Sequence, residues 1–151
     1  YYKVRATPLG LGGKPIPDRA IRGGVWKQRP GMQLGGKTVG IVGTGQIGRE
    51  TAELARGLRM KVICTDIVPN RDWAAAAGAE YVHLEQLIRE SDYISLQVPY
   101  GESTRHLIFT EQFATMKPSA IIVNTSRGGI IDEAAPLHAW RGRRQCSDQV
   151  V

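Results

Sequence analysis

Thr38-Val39-Gly40-Ile41-Val42-Gly43-Thr44-Gly45-Gln46-Ile47-Gly48-Arg49 is the stretch that decides the fold. Thr38–Val42 is a short apolar run ending at a glycine, the pattern of a strand buried on both faces of a parallel sheet. A helix follows over Gln46–Leu58, where Ile47, Ala52, Leu54, Ala55 and Leu58 offer an apolar face. Downstream the alternation continues. Lys61–Thr65 reads as a strand closed by Asp66, and Asp72–Ala77 as an alanine-rich helix stopped by Gly78. Glu80–Val82 is a short strand, Leu84–Glu90 a helix, and Tyr93–Val98 a strand ending before Pro99. Thr110–Met116 is a short helix with Thr110 as its cap, and Ser119–Thr125 is a strongly apolar strand. Asp132–Ala139 begins another helix that Pro136 interrupts. Strands alternating with helices predict an α/β fold: a Rossmann-type, doubly wound parallel sheet of about five strands, incomplete at its C-terminal edge.

The glycines of the opening stretch each have a physical task. Gly43 permits the tight turn out of the strand, and Gly45 lacks a side chain that would hold a phosphate away. Gly48 lets the helix pack closely on the strand. Free N–H groups at the start of that helix, with its positive dipole end, favour a pyrophosphate. A lone G-x-G-x-x-G is weak evidence, because glycine-rich turns are common. Here a strand precedes it, a helix opens at its last glycine, and Asp66 ends the next strand, 18 residues after Gly48. A carboxylate there accepts bonds from ribose hydroxyls and repels a 2′-phosphate. The expected ligand is therefore NAD rather than NADP, with Arg71 nearby as the one feature favouring NADP. The competing interpretation is that the glycines only shape a turn and that Asp66 caps a loop.

Further segments resemble the NAD-binding domain of the D-isomer-specific 2-hydroxyacid dehydrogenases, the family that includes phosphoglycerate dehydrogenase. They are residues 34–49, Ser-Leu-Gln-Val-Pro (95–99), Thr-Arg-His-Leu-Ile (104–108) and Val-Asn-Thr-Ser-Arg-Gly-Gly-Ile-Ile-Asp-Glu (123–133). The resemblance implies NAD as cofactor and a small 2-hydroxy or 2-keto acid as substrate. It also implies that Gln46 and Ile47 contact the pyrophosphate, that Val98 and Pro99 line the cofactor, and that Thr125 sits beside the nicotinamide. Arg127 matches the arginine that grips the substrate carboxylate and polarises its carbonyl, a role suited to a fixed fork of donors. Gln97 departs from the family, standing where many members carry a histidine; glutamine hydrogen-bonds but does not titrate. Gly24-Val25-Trp26 resembles a segment that helps form the family's dimer, so a homodimer is admitted as a partner.

In the family, a histidine paired with a carboxylate, both well after the arginine segment, supplies the proton that arginine cannot. Neither is found here, and His83, His106 and His138 are poor substitutes. The expected organisation is a proline- and glycine-rich lead-in over 1–30, the Rossmann domain over 31–135, and a divergent basic tail over 136–151. That tail suggests a frameshift or truncation, and a chain with weak or no activity alone. Two alternatives are a non-catalytic NAD-binding module of the corepressor kind and a degraded gene product.

Composition narrows the remaining classes. The net charge of +6 lies at the ends: +7 over residues 1–37, −3 over 38–136 and +2 over 137–151. No basic stripe follows a helix face and aromatics are not interleaved with it, which argues against a nucleic-acid partner. No apolar run approaches the roughly 20 residues that span a bilayer. Cys64 and Cys146 suggest neither a disulfide framework nor a metal site, and a reduced, cytoplasmic setting is expected.

Overall fold

A computed structural model describes residues 33–132 together with Gly23. The Trp26 segment, the Pro136-interrupted helix after Asp132 and the basic tail lie outside these residues. The described elements belong to the unit that begins at Leu34.

Five strands form one parallel sheet: β1 (Thr38–Val42), β2 (Lys61–Thr65), β3 (Glu80–Tyr81), β4 (Tyr93–Leu96) and β5 (Ile121–Asn124). Their order is β3-β2-β1-β4-β5. The helices between them are α1 (Gln46–Gly57), α2 (Arg71–Ala77), α3 (Leu84–Glu90) and α4 (Thr110–Thr115), with a 3₁₀ turn over Gly128–Ile130. The open parallel α/β sheet read from the sequence is the observed fold.

Period-two alternation along the strands divides the core between two faces. Val39, Ile41, Val62, Cys64, Tyr93 and Ile121 pack with Ala52 and Ala55 of α1. On the other face Val42, Ile63, Ile94, Leu96 and Ile122 pack with Leu87 and Ile88 of α3 and Phe113 of α4. Ile63, Leu87, Ile88, Ile94 and Leu96 are wholly buried, each contributing on the order of 1.5–3 kcal/mol of hydrophobic stabilisation. Gly40 lies where a Cβ would run into Ser91 and Leu87, so α3 seats directly on β1.

Two local expectations need correction. The inward face of α1 is Gly48, Ala52 and Ala55, whereas Ile47, Leu54 and Leu58 are exposed. The two stripes differ by one residue, about 100° around the helix. The close seat of α1 on the sheet admits only the small-residue stripe. Thr110 is the first residue of α4 rather than its cap; Phe109 holds that place, and its N–H donates to Gln112 Oε1 (3.2 Å). The strands read as Tyr93–Val98 and Ser119–Thr125 are shorter: Gln97, Val98 and Thr125 lie beyond the ladder in the loops of the site, and Ala120 is held in the turn before β5 by its N–H to Lys117 O (2.9 Å).

Candidate functional site

The ladder registers put four strand ends in one row. Val42 pairs with Thr65 on one side and Leu96 on the other, and Leu96 pairs with Asn124. The next residue of each strand is therefore Asp66, Gly43, Gln97 and Thr125 in order across the sheet. This row crosses the β1–β4 boundary, where the strand order reverses and open α/β sheets form their ligand crevice.

At its centre lies the glycine loop. Gly43 has φ +97°, and a Cβ there would meet Gln97 O (2.7 Å) and Val98 Cγ1 (2.8 Å). A Cβ on Gly48 would run into the Gly43 carbonyl oxygen, so both glycines are required by close contact. Gly45 is different: nothing lies within 4 Å of its Cβ position. It begins α1, whose first turn has neither an acidic residue nor a side-chain cap. The first N–H groups of the helix thus have no capping side chain or first-turn carboxylate competing for them, which fits a phosphate. Gln46 and Ile47 are exposed at this end of α1.

Asp66 is bonded to the loop. Its Oδ2 accepts from Thr44 N (2.6 Å) and Thr44 Oγ1 (2.9 Å), and its Oδ1 accepts from Val68 N (3.0 Å). The loop-capping interpretation of Asp66 is therefore realised as well, and it does not exhaust the carboxylate's acceptor sites. Burial tends to raise the Asp66 pKa. Hydrogen bonds from the Val68 and Thr44 N–H groups, the Thr44 hydroxyl and the Ile67 N–H outweigh it, and the net shift is downward. Asp66 is ionised at neutral pH.

Across the switch point, Gln97 Nε2 donates to Ser95 Oγ (2.8 Å) and Thr125 Oγ1 donates to Gln97 Oε1 (3.1 Å). The residue that departs from the family pattern thus joins the ends of β4 and β5. Pro99 is exposed, and its carbonyl accepts from Thr104 Oγ1 (2.7 Å). Asn124 holds the Arg127 loop, accepting from Ser126 N (3.0 Å) and donating to Arg127 O (2.8 Å). Ser126 Oγ donates to Leu96 O (2.9 Å). Tyr100 covers Gly129, where a Cβ would lie 2.7 Å from its ring, and His106 N donates to Gly129 O (2.9 Å). Arg127 itself is exposed at this end of the sheet, its Nη1 donating to Ser126 O (3.1 Å).

The structure thus brings Gly43, Gly45, Gly48, Asp66 and Val98 together at one end of the sheet and ties Thr125 to them through Gln97. Sequence reasoning missed Thr44, Tyr81 and Ser126. Thr44 occupies a variable position of the glycine motif and Tyr81 a two-residue strand, so no periodicity marks either.

Such a sheet, with a glycine loop at its switch point and an acid closing the neighbouring strand, defines a dinucleotide-binding Rossmann domain. The chain belongs to the D-isomer-specific 2-hydroxyacid dehydrogenases, since residues 15–145 match their NAD-binding domain. It is 46% identical over 130 residues to a glyoxylate reductase of Korarchaeum cryptofilum, the match covering 82% of this chain and 39% of that protein. A hydroxypyruvate reductase of Thermotoga maritima is 47% identical over 119 residues, covering 77% of this chain and 38% of that protein. Among solved structures, D-lactate dehydrogenase from Aquifex aeolicus, complexed with NAD and lactic acid, superposes with a TM-score of 0.76 at 33% identity. That match covers 83% of this chain and 38% of the other. The chain spans about two fifths of the length of these relatives. Family members are NAD-dependent oxidoreductases acting on the CH–OH group of hydroxy acids. Among the described residues, no helix is long and apolar enough to cross a membrane.

Proposed function

We propose that this chain is the cofactor-holding part of a D-2-hydroxyacid dehydrogenase that interconverts a small 2-hydroxy acid and its 2-keto acid. The observation that carries the reading is the row Asp66–Gly43–Gln97–Thr125, with the uncapped start of α1 beside it. Gly45, Gln46, Ile47 and Gly48 would hold the pyrophosphate on helix N–H groups, and Asp66 the adenosine ribose. Val98 and Pro99 would line the cofactor, and Thr125 would sit beside its nicotinamide end. The bound nicotinamide supplies or accepts the hydride. Arg127 binds the substrate carboxylate and draws electron density from its carbonyl, so that the carbon facing the cofactor accepts hydride more readily. The proton for the carbonyl oxygen is not assigned to the described histidines: His83 begins α3, and His106 is held by its backbone in the loop over Gly129.

This reading includes weak or no turnover by the chain alone, a cytoplasmic setting (NAD being an intracellular solute) and self-association. Support for the last is the exposed Leu54 and Leu58 on α1. Consumption of NADH with glyoxylate, hydroxypyruvate or phosphohydroxypyruvate tests the assignment. Any turnover should vanish in Arg127→Ala while NADH binding stays unchanged. Turnover that survives Arg127→Ala, or a preference for NADPH, would contradict it.

A further inference from the structure

Asp66 is the end of a directed chain of hydrogen bonds that begins at Asn70, further along the same loop, and passes through Tyr81 of β3. A carboxylate only accepts, so the single proton of the Thr44 hydroxyl goes to Asp66 Oδ2. The 2.7 Å contact between Thr44 Oγ1 and the Tyr81 hydroxyl is consequently donated by Tyr81. The Tyr81 oxygen in turn accepts from Asn70 N (3.1 Å), while the Asn70 side chain caps α2 by accepting from Trp73 N (2.9 Å). The order is Asn70 N–H to Tyr81 O–H to Thr44 O–H to the carboxylate. Thr44 is 2% exposed and Tyr81 half-buried against Trp73, so solvent does not readily replace these partners. Arg49, in the first turn of α1, fixes the far side of Thr44 by donating from Nε to its carbonyl (2.9 Å).

This geometry has a consequence for selectivity. The proton and a lone pair of the Thr44 hydroxyl are both committed, so Thr44 offers no hydrogen-bond donor to an anion arriving beside Asp66. The relay commits Oδ2 and leaves acceptor capacity on Oδ1 for a ribose hydroxyl. Bonds in such a chain polarise one another and strengthen the last.

We infer that Tyr81 is a positioning residue for Asp66, acting through Thr44 to favour a dinucleotide with a free 2′-hydroxyl over one with a 2′-phosphate. The inference rests on the proposed role of Asp66 at the ribose. NADH and NADPH affinities of the whole chain, measured by titration calorimetry for wild type, Tyr81→Phe, Thr44→Val, Thr44→Ser and Asp66→Asn, test it. Tyr81→Phe and Thr44→Val should each weaken NADH about threefold to tenfold, the range of one net hydrogen bond, with NADPH affinity unchanged or improved. Thr44→Ser, which keeps the hydroxyl, should restore the wild-type ratio. In an Asp66→Asn background, Tyr81→Phe should cost NADH nothing further. Equal losses for both dinucleotides, or the same Tyr81→Phe loss with Asp66 replaced, would overturn the relay as a selectivity device while leaving Asp66 at the ribose. An unchanged NADH affinity in Asp66→Asn would overturn the ribose role and the relay together.

Discussion

Replacing Gly48 by alanine should expose how tightly α1 is seated. The added Cβ would run into the Gly43 carbonyl oxygen, with Gly43 C at 3.0 Å and Ile41 Cγ2 at 3.5 Å. The obstructing atom is backbone, and it is pinned: Gly43 N donates to Thr65 O (2.9 Å), and the space at its own Cα is filled by Gln97 O. Overpacking of this kind costs about 1–3 kcal/mol, while alanine's better helix propensity returns at most about 1 kcal/mol. With the obstructing backbone pinned, the cost falls in the upper part of that range, about 2–3 kcal/mol, and the net loss of about 1–2 kcal/mol lowers Tm by roughly 4–16 °C for a domain of this size. Gly45→Ala is the internal control, with φ −65° and an empty Cβ position. Its Tm should stay within a few degrees of wild type, since an alanine that fits its backbone is worth about 0.4–1 kcal/mol in the stabilising direction. Thermal melts followed by circular dichroism give both values. A Gly48→Ala protein as stable as wild type would refute the close seating of α1 on β1.

Asp92 is the second acid to watch: it accepts from Thr38 N (2.9 Å) and pairs with Lys117 (3.2 Å). Burial raises its pKa, but the Thr38 N–H, the Lys117 hydrogen bond and charge and the Lys37 charge more than offset it, leaving the pKa lowered. The folded state therefore binds this proton less readily than the unfolded chain. Its stabilisation is complete above about pH 4 and is lost as pH falls through the lowered value, so Asp92→Asn should flatten the acid limb of urea stability against pH; an unaltered limb would contradict the assignment. Cys64 is wholly buried, and burial first, then the Asp66 charge, pushes its pKa to about 11. It should resist a thiol reagent at pH 8 in the native protein and react on unfolding; native labelling of the Cys64 peptide by mass spectrometry would show the core to be looser than described.

Most of the sheet was legible because its strands are contiguous β-branched runs and its turns carry glycine or proline. Thr38–Val42 and Lys61–Thr65 could hardly be anything else. The face of α1 was read in part: Gly48, Ala52 and Ala55 lie inward as expected, but apolarity alone put Ile47, Leu54 and Leu58 with them, whereas close approach to β1 selects for small volume. The glycines and Asp66 were readable because each does a local job at a fixed spacing. Thr44 and Tyr81 were not, since their connection spans 37 residues and exists only once β3 lies beside β2. Gln97 was noticed as a departure, but its bridge from Ser95 to Thr125 depends on the β4–β5 register.

The central claim is that the crevice at Gly43–Gly48 holds NAD. Titration of the chain with NADH, read by calorimetry, should give saturable binding at one site. Gly45→Val should weaken that binding by about tenfold or more, equivalent to at least ~1.4 kcal/mol, without lowering Tm appreciably. No saturable binding, or a Gly45→Val protein that binds NADH as tightly as wild type, would contradict the account.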